Sequence, residues 1–227
     1  MRNLGLIGGL GPGATLHYYK ELSKAQAGEF LIIQADMERV VGHVQRGEVA
    51  NLALYFAHLI GRMAKGGAEV AAISAVTPHI CIQELLKISP LPLVNIVEEV
   101  NQEIRSRGYQ RVALFGTKYV VESRLYGMLT DVDVLVPDPA QVHQIHEAYM
   151  QAVRGSDQGR PVLSQIARQL PVDAVVLAGT DLAPIFDETN TDFPHVDATR
   201  VHINALLREI GKTSPARPTT PIHTVQP

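Results

Sequence analysis

The sequence carries a weak copy of itself, and this repetition limits the folds open to the chain more than any other feature. Leu4-Gly5-Leu6-Ile7-Gly8 matches Val112-Ala113-Leu114-Phe115-Gly116 at an offset of about 108, with Thr15 opposite Ser123 and Tyr18 opposite Tyr126. Ala71-Ala72-Ile73-Ser74-Ala75 falls opposite Val175-Val176-Leu177-Ala178-Gly179 at an offset of about 104. Short apolar runs of this kind form parallel strands buried on both faces. Further strands are expected at 30–35 and 133–136, with a last extended piece at 193–197. Helical spacing runs through 15–27, 49–65, 80–87, 94–107, 141–153, 162–169 and 198–210, and residues 37–47 read as a polar connection. Alternation of strand and helix predicts an α/β protein. The repeat makes it two similar Rossmann-like α/β lobes with parallel sheets, related by a pseudo-twofold, with a cleft between them. We place one lobe at 1–95 plus 198–211 and the other at 96–197, and expect the Pro- and Thr-rich stretch 212–227 to be a disordered tail.

Ligands of open α/β sheets sit beyond the carboxyl ends of the strands, so the ends near residues 9, 75, 117 and 179 should line one cleft. The first, Gly8-Gly9-Leu10-Gly11-Pro12-Gly13, breaks into glycines and opens a helix, whose free amides and dipole favour an oxyanion, carboxylate or phosphate. Its G-x-G-x-x-A pattern, with Asp36 ending the next strand, also satisfies a dinucleotide fingerprint. Hydride-transfer partners are not organised elsewhere, and a second lobe with matching strand ends has no place in a single nucleotide fold. A net charge of -3 without a basic block gives no footprint for nucleic acid or an anionic membrane. One cysteine, no signal-like flank and no bilayer-length apolar run lead us to expect a soluble cytoplasmic protein with a small-molecule partner.

Gly8-Gly9-Leu10-Gly11-Pro12-x-Ala14-Thr15 resembles the opening of the cofactor-independent aspartate/glutamate racemase superfamily, Gly-Gly-Met-Gly-Pro-x-Ala-Thr. Thr77-x-His79, Val112 to Thr117, Thr180-Asp181, and Asp197 with His202 match its later landmarks in order, so the resemblance covers the chain to about residue 211. It implies a small carboxylic or amino acid substrate, no cofactor such as PLP, no metal and a homodimer. It also implies a proton-shuttling pair of cysteines on opposite faces of the substrate. Here those positions hold Ala75, in Ala75-Val76-Thr77-Pro78-His79, and Gly179, in Ala178-Gly179-Thr180-Asp181. Neither side chain carries a proton, Val76 replaces an amide, and Val120 stands where the pattern often has Thr. Cys81, in the apolar run Ile80-Cys81-Ile82, reads as an inert core residue.

Two-thiol racemisation is therefore chemically excluded, while the oxyanion frame of Gly9, Leu10, Gly11, Ala75, Val76, Thr77, Thr117, Gly179 and Thr180 is expected to hold substrate. Such a frame suits a lyase, decarboxylase, cyclase or isomerase. A racemase using other residues and a non-catalytic carboxylate binder remain the alternatives. His79 and Asp181 are the acid–base candidates, each with a structural alternative: His79 as a loop cap, Asp181 as the cap of the following helix. Ser74 should point away from the cleft as a core hydroxyl. Arg39 and Arg46, and Arg154 by the family resemblance, are the candidates for a distal carboxylate, each against a solvated surface reading, and Glu38 and His43 share the loop of the first two. His17, His58, His143, His146 and His223 show no spacing that lifts them above surface residues.

Overall fold

A computed structural model describes residues 1–187 and 189–211. One parallel sheet contains β1 (Leu4–Gly8), β2 (Phe30–Gln34) and β3 (Val70–Ile73) in the order β2-β1-β3. The other contains β4 (Arg111–Phe115), β5 (Asp133–Leu135), β6 (Ala174–Leu177) and β7 (His195–Asp197) in the order β5-β4-β6-β7, again all parallel. The internal copy in the sequence is this symmetry. Leu4 pairs with Val70 in the first sheet and Val112 with Ala174 in the second, the same residues that the two offsets relate. An isolated parallel bridge from Ala71 to Leu93 stands where the second sheet pairs Val175 with His195.

Nine helices cover the sheets among the described residues: α1 (Pro12–Lys24), α2 (Met37–Gln45), α3 (Val49–Lys65), α4 (Ile82–Ile88), α5 (Ile96–Ser106), α6 (Lys118–Glu122), α7 (Pro139–Val153), α8 (Arg160–Gln169) and α9 (Ala198–Ile210). The expected polar connection at 37–47 is instead α2. Asp36 caps it, accepting the Arg39 N–H at 3.1 Å, and Val40 and Val44 bury one face at the i, i+4 spacing. Gly42 and the surrounding charges hide that stripe in the sequence. The expected helix at 80–87 begins earlier, as a 3₁₀ turn over Thr77–Cys81 that passes into α4.

The closing helices are exchanged. α5 follows the Leu93 bridge of the first sheet, yet it packs Ile96, Val100 and Ile104 with Val112, Leu114 and Val176 of the second. α9 follows β7 of the second sheet, yet it packs Ile203, Leu206 and Ile210 with Leu4, Leu6, Tyr18 and Leu22 of the first. The backbone N–H of Arg2 donates to the Ile210 carbonyl at 2.8 Å, closing the first lobe on the end of α9. No helix among the described residues is long and apolar enough to cross a membrane. The stretch 212–227, with His223, lies outside the described residues.

His202 of α9 is fully buried against the first lobe. A carbonyl only accepts, so the Nε2–H donates to Val94 at 3.0 Å and Nδ1 accepts the Tyr18 hydroxyl at 2.8 Å. Burial pulls its pKa down to about 3. The unfolded chain takes up this proton below about pH 6.5 and the folded chain does not, so stability falls as the pH falls through that window. The expected slope from this one residue is about 1.4 kcal/mol per pH unit. Urea unfolding of His202→Gln between pH 7 and 4 should lose that slope relative to the unmodified chain; an unchanged slope would mean that His202 is charged when folded.

Candidate functional site

The carboxyl ends of the two sheets meet at one seam, and a cavity of about 300 Å³ opens along it. Leu10, Ala75, Val76, Thr77 and Thr117 bring three of the four anticipated strand ends to its wall. Its outer walls are two helices facing each other, α2 with Met37, Val40, Val41 and Val44, and α7 with His146, Tyr149, Met150 and Val153. The lining is predominantly apolar and contains no aspartate, glutamate, lysine or arginine.

Its polar edge is small. Thr77 and Thr117 face each other across the seam, with their Oγ1 atoms 3.2 Å apart. Thr117 also caps the short α6, accepting the Val120 N–H at 3.4 Å. The next amide, that of Lys118, donates to Nδ1 of His146 at 3.3 Å, which leaves the His146 proton on Nε2. Burial lowers the pKa of this imidazole, so it is neutral near pH 7. Thr77 is held from the other lobe, where the Tyr126 hydroxyl donates to its carbonyl at 2.8 Å. Tyr126 lies in a left-handed run, Arg124, Leu125, Tyr126 and Gly127, at φ of 54°, 54°, 58° and 68°.

The fourth strand end does not reach the cavity. Tyr149 covers it: a Cβ on Gly179 would lie 2.3 Å from Cε2 of the Tyr149 ring. Gly9 and Gly11 are likewise absent from the wall. Gly9, at φ of +81°, donates its N–H to Thr15 Oγ1 at 3.0 Å, and the same hydroxyl donates to the Gly11 carbonyl at 3.2 Å. The glycine turn is thus braced from within. The head of α1 already holds a carboxylate, because Asp181 accepts the Ala14 N–H at 3.0 Å. Asp181 therefore caps α1 of the other lobe, in place of the helix that follows it. The same contact closes the dinucleotide reading, since a pyrophosphate would need the amides that Asp181 occupies.

Burial pushes the Asp181 carboxyl up, against the Ala14 amide and the Tyr149 hydroxyl, which pull it down. His79 is 1% exposed and lies off the cavity wall; burial takes its pKa down to about 4, and its Nδ1 has no hydrogen-bond partner. Thr180 donates to the Ser74 carbonyl at 3.0 Å, while Ser74 donates to the Ile7 carbonyl at 3.0 Å as a core hydroxyl. Cys81 is buried with its Sγ–H on the Pro78 carbonyl, and burial lifts its thiol to about 12. The three anticipated arginines are all exposed and none lines the cavity: the Arg39 guanidinium lies 4.4 Å from the Tyr55 ring centroid, Arg46 pairs with Glu48 at 3.0 Å, and Arg154 ends α7.

The residues that sequence reasoning missed are His146, Tyr149 and the apolar face of α2. His146 and Tyr149 lie one turn apart on α7, a spacing that puts both on one helix face, as Val40 and Val44 are on α2. A larger polar groove of about 570 Å³ lies between α5, β7 and α9, away from the strand ends; there Arg107 pairs with Glu103 and Arg208 with Glu99. No group of three or more His, Cys, Asp or Glu among the described residues is arranged to hold a metal.

Known structures share this architecture. A candidate Asp/Glu racemase from Yersinia pestis is 23% identical and superposes with a TM-score of 0.79, covering 93% of this chain and 100% of its own. An aspartate racemase homologue from Pyrococcus horikoshii is 20% identical at 0.75, covering 93% and 100%. The aspartate racemase of Picrophilus torridus is 21% identical at 0.73, covering 94% and 96%. At these identities the likeness shows the fold. The sequence profile of the Asp/Glu/Hydantoin racemase family matches residues 7–206, nearly the whole described length. The chain belongs to the Asp/Glu/Hydantoin racemase family.

Proposed function

We propose that the cavity binds a small carboxylic acid with an apolar body, its carboxylate taken by Thr77, Thr117 and the Nε2–H of His146. The chemistry we assign to it is one-sided, of lyase, decarboxylase, cyclase or isomerase type, with the His146 Nε2–H as a hydrogen-bond donor that stabilises the developing anion. One observation carries this reading: two hydroxyls and one neutral imidazole cluster beside Ala75 at one edge of a mainly apolar cavity, whose other polar side chains are Gln45, Tyr119 and Tyr149. Donors aimed at a carboxylate-derived anion in a dry pocket stabilise it. Symmetrical racemisation needs a proton carrier on each face, and Ala75 and Gly179 supply none. Aspartate and glutamate fit poorly as well. Their second carboxylate would lie among Val40, Val44 and Met150, where an unpaired charge costs several kcal/mol.

Binding without turnover is the second reading. It is favoured by the engagement of Asp181 with Ala14 and Tyr149, which leaves one titratable imidazole at the cavity rather than an acid–base pair.

Proton NMR in deuterated water, on a panel of alkyl- and aryl-substituted acids including β-keto and α,β-unsaturated ones, separates these readings. Product formation supports the first, and saturable binding without product supports the second. Deuterium exchange at Cα of aspartate or glutamate would overturn both. His146→Ala should weaken carboxylate binding by roughly 10-fold or more, the worth of a hydrogen bond to a charged group. In the unmodified chain affinity should rise as the pH falls through the His146 pKa, because a bound anion favours the imidazolium; titration calorimetry of the variant should show no such rise. Replacing both Ala75 and Gly179 with Cys should not restore racemisation. The new side chain at 179 collides with the Tyr149 ring, costing about 1–3 kcal/mol in chemical denaturation, and Gly179→Ala alone should show the same loss.

A further inference from the structure

The glycine turn at the head of α1 is shaped for a carboxylate, and one is seated in it. Asp181 is 1% exposed and reaches across the seam. Its Oδ1 accepts the Ala14 N–H at 3.0 Å, and its Oδ2 accepts the Tyr149 hydroxyl at 3.3 Å. Gly11, which precedes α1, offers no side-chain cap of its own. A Cβ on Gly11 would stand 2.3 Å from Oδ2, and one on Gly13 would stand 3.4 Å from Oδ1. The absence of a side chain at Gly11 is what lets the carboxylate in.

We infer that Asp181 is a built-in ligand: its carboxylate fills the anion site of the glycine turn, closes that site to carboxylates from outside, and so directs a ligand's carboxylate at the seam to the Thr77–Thr117 edge. The last clause rests on the monocarboxylate reading above; the rest stands whatever the cavity binds. A second carboxylate at the turn would face Asp181 directly, and two like charges in one buried site oppose each other. The Ala14 amide is already engaged, so an incoming anion could use it only by displacing Asp181.

Removing the side chain should turn this self-filled site into an open one. Asp181→Ala loses a helix cap, so its Tm should fall by roughly 2–8 °C. Sodium formate at pH 7.5, a probe with the size and charge of the missing group, should restore part of that fall saturably, while sodium chloride at matched ionic strength should not. Formate held at the Thr77–Thr117 edge would stabilise both proteins alike, so the variant should gain more than the unmodified chain does. The same formate response in both proteins, or none in the variant, would overturn the inference. A second measurement needs no variant: formate titrated into the ¹⁵N-labelled native chain should leave the Ala14 amide resonance unmoved, and a saturable shift would overturn the inference even if Asp181→Ala does not fold. The difference between the two proteins and the Ala14 resonance both report on the turn, so failure here is distinguishable from failure of the monocarboxylate reading, which the acid panel tests separately.

Discussion

Two parallel sheets that end against each other create a problem that every other feature of this chain answers. Backbone groups past the last ladder residue have no strand partner, and at a closed seam little water reaches them. Side chains from the opposite lobe supply the missing bonds. Thr180 reaches the Ser74 carbonyl, Tyr126 the Thr77 carbonyl, and Asp181 the Ala14 amide. Each joins residues that are remote in sequence, and each helps fix the two lobes at one separation. The seam is therefore both the glue of the fold and the place where a ligand would sit. A group spent on the first task is not free for the second.

The left-handed run before Gly127 shows how far the chain goes to make one of these ties. Left-handed backbone costs roughly 1–2 kcal/mol for each residue with a side chain, and three such residues stand in a row. Strain of this size persists only where the surroundings fix it. Leu125 is buried in the second lobe's core, Ser123 Oγ accepts the Tyr126 N–H at 2.9 Å, and the Tyr126 hydroxyl ends on Thr77. The counterpart of Tyr126 in the repeat, Tyr18, stays inside α1 and bonds His202 instead. The two copies thus use this position differently, Tyr126 to tie the seam and Tyr18 to hold α9 against the first lobe's core.

What could be read from the sequence was what local pattern encodes. The strand runs, the offsets that pair Leu4 with Val70 and Val112 with Ala174, and the helices at 49–65 and 198–210 all follow from periodicity along the chain. The opening and strand-end motifs likewise located the seam. What filled it was not legible. Asp181 and Ala14 are 167 positions apart, and His146 meets Lys118 only because α7 crosses α6. The landmarks marked Ala75 and Gly179 as positions without a thiol, and from that alone an empty space follows. The Tyr149 ring occupies that space beside Gly179. A motif records which side chain is missing, and only three dimensions show which one has replaced it.

Seen this way, the loss of the second thiol is not an isolated substitution. Tyr149 can lie over residue 179 only if that residue has no side chain, and its hydroxyl ends on Asp181. Asp181 in turn can lie at the head of α1 only if Gly11 has no side chain. Gly179, Tyr149, Asp181 and Gly11 thus form one interlocked unit, in which a change at any member must be met by its neighbours. The unit displaces the open volume outward, to the space between α2 and α7, where Val40, Val44 and Met150 stand and the two threonines and His146 provide the hydrogen bonds. A ligand there would meet its hydrogen-bond donors along one edge, where the two lobes bring Thr77, Thr117 and His146 together.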